Sequence, residues 1–178
     1  MLCVKEVNSL FDKMDEAMLD HSEHVACLCY AMGQEIDCPS HDLELLWFAG
    51  MLHEIGKLDI NKSMNVDGKQ VDMEEFYPVI SKAMLKNIDG FDEVEKIIIQ
   101  HKENYDGSGF PYGLKGTEID TLAKVLRIAD FYDHARQAGK NHDEACLLIR
   151  KYSDIYFPRR IITPFIKSII KNELQFEY

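Results

Sequence analysis

The residues from Gln100 to Gly116 read QHKENYDGSGFPYGLKG and lead out of an apolar helix into a loop with four glycines and one proline. The helix before it carries Val94, Ile97 and Ile98 at helical spacing. A loop of this length is ordered only if side chains or a ligand hold it, and such loops often carry function. We therefore expect a functional site at or beside this segment.

The composition indicates a soluble globular protein. The 178 residues suffice for one domain with a sizeable core, which we place at residues 1–178. The formal net charge is -11, from 31 acidic and 20 basic residues. Nucleic-acid polymers and anionic membranes bind surfaces with excess Lys and Arg, so this charge argues against both as partners. The negative net charge does not exclude a local basic pocket for a phosphate.

The cysteines and the apolar segments point to the cytoplasm. Five scattered cysteines, an odd number, fit a reducing compartment better than a disulfide framework. No apolar run approaches the roughly 20 residues of a membrane span, and the N-terminus lacks a signal-peptide pattern.

Helical periodicity dominates the chain, and no convincing alternating strand stands out. The pattern predicts an all-α domain of roughly seven or eight helices. The predicted positions are a first helix through Leu10, Met14 and Met18, a second from His21 to Met32, a buried third from Ser40 to Glu54, a polar loop from Asn61 to Lys69, a fourth opened by Asp72 and Glu75, a fifth from Asp92 to about His101, a sixth through Ile119 and Ala129, and C-terminal helices within 141–172 opened by Asn141 with Glu144 and by Arg159.

Four polar residues on these apolar helices suggest a metal site. His53 and Glu54 close the buried third helix, and a buried carboxylate beside an imidazole is costly unless it is paired or metal-bound. Asp130 lies in an apolar helix, where a carboxylate needs a cation. Together with His21 these residues offer imidazoles and carboxylates from three helices, a ligand set that suits iron, manganese or zinc.

Each residue taken alone also has a simpler interpretation. His21 fits an N-terminal cap or a surface position. Asp130 could pair with Arg127 or Lys124. His101 fits a helix-end histidine that the helix dipole favours. The joint order of these residues along the chain is what favours a metal site.

The order His21, His53-Glu54, His101 and Asp130, together with the loop DGSGFP at 106–111, resembles the HD superfamily of metal-dependent phosphohydrolases. Within it the chain resembles the HD-GYP branch, over roughly Asp20 to Asp133. The resemblance implies an HD-domain helical bundle and a metal held by His21, His53, Glu54 and Asp130. It also implies that Lys57 contacts a substrate phosphate, so that Lys57 and Glu54 are the candidate catalytic residues.

The same resemblance predicts the loss of a second metal. HD-GYP proteins bridge two ions through an Asp at the position of Glu54 and use further histidines at the positions of Tyr77, His101 and Lys102. Here only His101 and Glu54 remain, and Lys102 brings an ammonium to the place of a cation, which repels a metal unless it points to solvent. We therefore predict at most one divalent ion, of iron, manganese or zinc, or none, with His101 as a further candidate ligand.

The glycine loop has two interpretations. One is a rigid turn held by glycines and a proline. In the other, which the resemblance implies, Asp106, Gly107, Gly109, Phe110 and Pro111 contact the substrate or a partner domain of the GGDEF type, which makes cyclic dinucleotides. Phe110 replaces the tyrosine of the family motif and keeps its ring.

The function expected from this combination is a diverged HD-GYP-like domain of cyclic-dinucleotide signalling. An arginine-bearing segment that supplies phosphate contacts in the family is replaced by ARQAGK at 135–140. We therefore expect weak or absent phosphodiesterase activity and a role in binding a nucleotide or a protein. The alternative is an active phosphohydrolase that cleaves cyclic di-GMP or another phosphate ester with a single metal and Lys57.

Overall fold

The computed structural model describes residues 4–59, 63–66, 69–72, 76–86 and 88–172. Within these ranges the chain forms eight α-helices, a short antiparallel hairpin and two 3₁₀ turns. The helices are α1 (Val4–Phe11), α2 (Glu16–Glu35), α3 (Ser40–Leu52), α4 (Tyr77–Leu85), α5 (Asp92–Gln100), α6 (Thr121–Gln137), α7 (His142–Lys151) and α8 (Arg159–Lys171). The strands are β1 (Ser63–Val66) and β2 (Lys69–Asp72), and the 3₁₀ turns are Ile55–Asp59 and Gly116–Glu118. The all-α class predicted from the sequence is confirmed.

Three helices, α2, α3 and α6, pack against one another at the centre and carry most of the polar residues discussed above. The backbones of α2 and α3 come very close at Gly50, where an added Cβ would lie 2.5 Å from Ala26 Cα. Only a residue without a Cβ lets two backbones approach so closely. Gly50 thereby sets the separation of the helix that carries His21 from the helix that ends at His53.

Several helix boundaries differ from the prediction. Helix α1 ends at Phe11 and Asp15 caps α2, so the expected first helix is broken before Met18. The polar loop expected from Asn61 to Lys69 contains β1 and the start of β2, in an antiparallel pair that joins Val66 to Lys69. Asp72 ends β2 instead of capping a helix, and Glu75 lies outside the described residues.

The C-terminal helices follow the prediction. The Asn141 side chain accepts a hydrogen bond from Glu144 N, and the Glu144 carboxylate accepts one from Asn141 N. This reciprocal capping box opens α7, and Pro158 precedes α8. Both helices lie within the range expected from the sequence. None of the helices in the described part of the chain combines the length and apolar character needed to cross a membrane.

Candidate metal centre

Two buried imidazoles face each other at the centre of the molecule. His21 lies on α2, and its Nδ1 lies 2.6 Å from Asp133 Oδ2. His53 caps the C-terminus of α3, and its Nδ1 lies 2.8 Å from the carbonyl oxygen of Gly50. Both partners are acceptors, so each Nδ1 carries a proton, and in the neutral rings each Nε2 offers a lone pair. The two Nε2 atoms are 3.2 Å apart.

Two carboxylates complete the cluster. Asp130 Oδ1 lies 3.5 Å from His21 Nε2 and 3.4 Å from His53 Nε2. Glu54 Oε1 lies 3.8 Å from His21 Nε2 and 4.0 Å from His53 Nε2. Asp130 is fully buried, and Glu54 nearly so. The four residues expected from the sequence to converge therefore lie in one cluster.

The spacing of these atoms fits a single divalent ion. Ligand atoms about 2.1 Å from one ion lie about 3.0 Å apart when adjacent in an octahedron and about 4.2 Å apart when opposite. The distances from 3.2 Å to 4.0 Å fall within that range. Asp130 Oδ1 is also buried without a hydrogen bond to any residue that the structure describes. Such an oxygen beside imidazole nitrogens is well suited to a cation.

His134 also reaches this cluster, although the sequence reasoning did not select it. Its Nε2 lies 3.1 Å from Asp130 Oδ1 and 3.6 Å from Glu54 Oε1. The ligand atoms of His21, Glu54, Asp130 and His134 all lie within 4.8 Å of one another. The available signal was the spacing of four residues from Asp130 to His134, which places both side chains on one face of α6.

The charges around the cluster stabilise the ionised carboxylates. Burial alone would raise the pKa of Asp130, but the ammonium of Lys102 and the nearby imidazoles hold it well below its usual range. Burial likewise opposes ionisation of Glu54, but His134, His53 and Lys57 lower its pKa. Both carboxylates are therefore charged at neutral pH and available to a cation.

The residues that the resemblance assigns to the second metal of HD-GYP proteins contact other protein groups. Lys102 points toward the cluster, and its Nζ lies 2.7 Å from Asp130 Oδ2. His101 is fully buried, and its Nδ1 contacts the carbonyl oxygen of Ile98. Its Nε2 lies 3.0 Å from the hydroxyl of Tyr77. Because the His101 proton is on Nδ1, the Tyr77 hydroxyl donates to Nε2 and occupies the lone pair that a metal would use.

Neither Arg127 nor Lys124, the two cationic partners considered for Asp130, forms a hydrogen bond with its carboxylate. Arg127 Nη1 lies 3.9 Å from Asp130 Oδ2, beyond hydrogen-bonding distance. Lys124 instead donates to the carbonyl oxygen of Ile119. Lys102, which the sequence reasoning treated as a source of repulsion, is the close cationic partner of this carboxylate.

Lys57 lies at the rim of the cluster. Its ammonium donates to Glu54 Oε1 and stands 4.9 Å from the centre of the Tyr77 ring. The Lys102 ammonium is 5.5 Å from the same ring. About a quarter of each lysine side chain is exposed. Two ammonium groups that solvent can reach therefore flank the Tyr77 ring, where an incoming phosphate could meet them.

The glycine loop is held mainly by a carboxylate that the sequence reasoning did not select. Glu103 is buried and accepts hydrogen bonds from Tyr112 N at 2.6 Å and from Leu114 N at 3.0 Å. An added Cβ on Gly109 would lie 2.2 Å from Asn104 N, so the chain crosses itself there. These contacts favour the interpretation of this loop as a rigid turn.

The contacts described for the five candidate loop residues, 106, 107 and 109–111, are made within the loop or with Phe76 and Lys102, not with the ligand atoms of the cluster. The carboxylate of Asp106 accepts from Ser108 N at 2.9 Å. Gly107 has a positive φ of 88°, which favours glycine. Phe110 precedes Pro111, and its ring packs edge-on against Phe76 with centroids 4.9 Å apart. The loop joins the cluster through Lys102, whose carbonyl oxygen accepts from Phe110 N.

A family model described as "HD domain" matches residues 6–161. The chain therefore belongs to the HD domain family, and the resemblance to the HD-GYP branch is confirmed.

The chain is 27% identical over 166 residues to a cyclic di-GMP phosphodiesterase of Pseudomonas aeruginosa, and the match covers 87% of this chain and 40% of that protein. It is 29% identical over 135 residues to a 3'3'-cGAMP-specific phosphodiesterase of Vibrio cholerae, covering 73% of this chain and 31% of that protein. The chain thus spans less than half the length of these relatives.

Solved structures agree on the fold. An HDG"Y"P protein from Bdellovibrio bacteriovorus superposes with a TM-score of 0.70 at 24% identity, covering 90% of this chain and 53% of that one. The HD domain of a Listeria monocytogenes phosphodiesterase, solved with cyclic di-AMP, superposes with a TM-score of 0.61 at 13% identity. That match covers 92% of this chain and 95% of the other.

Metal binding is expected to release a proton. Burial alone would lower the pKa of His21, but the carboxylates of Asp130, Asp133 and Glu54 raise it to about 9. At pH 7 the metal-free imidazole is therefore protonated, and a metal must displace that proton. We expect the apparent affinity for Zn²⁺ to rise about tenfold per pH unit until pH approaches that pKa.

Calorimetric titration at pH 7 in two buffers with different heats of ionisation measures this release. We expect at least about one proton per bound ion. Equal heats in both buffers would contradict protonation of His21 in the metal-free chain. The exposed His41, paired with Glu93, serves as a control, because His41→Ala is expected to leave the proton count unchanged.

Proposed function

We propose that this chain is a diverged HD-GYP-like domain of cyclic-dinucleotide signalling that holds one divalent ion and hydrolyses cyclic di-GMP weakly or not at all. It would act by binding a nucleotide or a protein partner. The observation that carries the proposal is the pairing of Lys102 Nζ with Asp130 Oδ2 at 2.7 Å. A protein ammonium there supplies the charge that a second ion would bring, and it cannot activate a water molecule as an ion can.

The proposed metal ligands are His21, His53, Glu54 and Asp130. When bound, the ion would supply Lewis acidity toward a phosphate oxygen. Lys57 would bind a phosphate oxygen of the nucleotide with its ammonium, and Asp133 would hold the His21 ring in its orientation through Nδ1. The Tyr77 hydroxyl keeps the His101 lone pair occupied. This set can bind a phosphate ester, but it lacks the two-ion clamp on the attacking and leaving oxygens.

A single-metal phosphohydrolase is the second candidate. The convergence of His21, His53, Glu54 and Asp130 favours it, because the cluster fits an ion whether or not a second ion is bound. Lys57 at the rim could stabilise the charge that develops in the transition state. The two candidates differ in turnover, not in the first metal.

Turnover and binding of cyclic di-GMP separate the candidates. We expect the unmodified, metal-loaded chain to bind cyclic di-GMP in calorimetry and to release little or no linear dinucleotide in the same buffer. Lys57→Gln is expected to weaken this binding roughly tenfold, because a charge-assisted hydrogen bond is lost. Lys167→Gln, at an exposed position on α8, is the matched control and should have no effect.

One outcome would decide against the proposal, and a second would narrow it to a protein ligand. Turnover of about one per second or more would establish the single-metal hydrolase. If the chain neither binds nor hydrolyses cyclic di-GMP, a protein partner remains as the candidate ligand. A GGDEF-type domain is then the first partner to test, and variants of the exposed Tyr112 in the glycine loop would map its contact.

A further inference from the structure

We infer that His134 is a further ligand of the metal ion proposed above, and that it covers the face of the site through which water or a substrate would otherwise reach the ion. The inference rests on the proposed metal centre and specifies how that centre is regulated. Nothing in the sequence motifs of the HD-GYP resemblance assigns a role to this histidine.

The position of the ring supports a ligand role. His134 stands one helical turn after Asp130 on α6, and its Nε2 is 3.1 Å from Asp130 Oδ1 and 3.6 Å from Glu54 Oε1. Its ring lies beside the His21 ring, with centroids 4.6 Å apart and planes 30° apart. The 3.1 Å separation matches that of adjacent ligands around one ion, which is about 3.0 Å to 3.4 Å for octahedral and tetrahedral shells, and the 3.6 Å separation lies below the about 4.2 Å of opposite ligands in an octahedron.

The exposure of the ring supports its covering role. The side chains of His21, His53, Glu54 and Asp130 are at most 5% exposed. The His134 side chain is 44% exposed. Among the candidate ligands in the described part of the chain, His134 is thus the one that stands between the buried cluster and solvent.

The number of protein ligands determines how many coordination positions stay open for water or a phosphate oxygen. His134 shares one group of ligand atoms within 4.8 Å of one another with His21, Glu54 and Asp130, and this group does not include His53. With His53 on the other side of the cluster, beside His21 and Asp130, the set would supply five ligands. An ion of six-coordinate geometry then keeps one open position, and a smaller shell keeps none. Hydrolysis of a phosphate ester at one ion needs room for the water and for a phosphate oxygen. His134 would therefore keep the ion bound but inert until the side chain moves outward.

The competing explanation is an ion pair. In that case a protonated His134 would neutralise Asp130 and Glu54 and would take the place of a metal. The two explanations predict opposite effects of removing the ring. Loss of a ligand weakens metal binding, whereas loss of a competing cation strengthens it.

The test uses the full chain and two probes, Zn²⁺ and Co²⁺. For His134→Ala we expect the Zn²⁺ dissociation constant, measured against a chelator, to rise roughly 10- to 100-fold. We expect the visible absorption of the Co²⁺ form to change as water replaces the ring. Inorganic phosphate should then perturb the Co²⁺ spectrum of the variant more strongly than that of the unmodified chain. Added imidazole should restore the original spectrum, because the site of the missing ring opens to solvent.

The control variant and the possible outcomes separate the ligand role of His134 from the ion-pair explanation. His41→Ala removes an exposed histidine that pairs with Glu93 and should change neither constant nor spectrum. Unchanged or tighter Zn²⁺ binding by His134→Ala would overturn the inference in favour of the ion pair. A phosphate effect on the unmodified chain as strong as that on His134→Ala would also overturn it, because His134 would then not cover the ion. Two Co²⁺ ions in the unmodified chain, with weaker binding in His134→Ala, would contradict the proposed function while supporting the ligand role of His134.

Discussion

Combining Glu54→Asp, Tyr77→His and Lys102→His is expected to raise the bound divalent metal from one ion to two per chain. The shorter carboxylate at position 54 can bridge two ions, and removal of Lys102 frees Asp130 Oδ2 from its ammonium partner at 2.7 Å. Replacing Tyr77 frees His101 Nε2, which its hydroxyl contacts at 3.0 Å. New imidazoles at 77 and 102 would then complete a second ligand set. Elemental analysis after gel filtration in the presence of excess metal measures the count.

A matched double variant separates the effect of the new imidazoles from the effect of removing Tyr77 and Lys102. Lys102→Gln with Tyr77→Phe removes the same two protein groups without supplying imidazoles, and we expect it to keep one ion. A count of one in the triple variant would show that the second position is not rebuilt by these ligands. We expect little hydrolysis of cyclic di-GMP even with two ions, because the resemblance implies that ARQAGK at 135–140 replaces a segment that supplies phosphate contacts in the family.

Replacing Gly50 with Ala is expected to destabilise the fold and to disrupt the metal centre together. The new Cβ would lie 2.5 Å from Ala26 Cα and 2.7 Å from Ala26 N, so the backbones of α2 and α3 must separate. We expect a loss of about 2–3 kcal/mol in the free energy of unfolding, even though Ala favours helices over Gly. Urea unfolding of the metal-free chain measures it. The shift would also move His21 away from His53, so we expect Zn²⁺ affinity to fall at least about tenfold.

Gly33→Ala is the matched control for this prediction. Gly33 also lies in α2, but its added Cβ would meet the side-chain ends of Leu43 and Leu46, at 2.6 Å and 2.8 Å. Those ends can move, so we expect a smaller loss of stability and little change in metal affinity. Equal effects of the two variants would contradict the role of Gly50 as the point that spaces the two histidines.

Much of the fold could be predicted because helical periodicity is local. The apolar faces of α2, α3 and α6 are each visible in one stretch of sequence. The hairpin of β1 and β2 was missed because the alternation in β1 is only four residues long, with Met64 and Val66 as its apolar positions, and β2 has a single apolar residue, Val71. Asp67-Gly68 between the two strands is nevertheless a sequence typical of a hairpin turn.

The ligand cluster could be predicted only in part, because its geometry depends on contacts between distant helices. His21, His53, Glu54 and Asp130 were selected by their order along the chain, and the structure brings them together. His134 was not predicted because the motifs that carry the resemblance end at about Asp133. The inward direction of Lys102 could not be predicted either, since a lysine at a helix end usually points to solvent.

The number of ions bound by the unmodified chain tests the central claim most directly. Crystals grown with excess manganese or zinc, measured at the absorption edge of that metal, would place every ion by its anomalous signal. The account predicts one ion, within bonding distance of His21, His53, Glu54 and Asp130, with the Lys102 ammonium still on Asp130 Oδ2. Two ions bridged by a carboxylate of the cluster, with Lys102 turned to solvent, would contradict it.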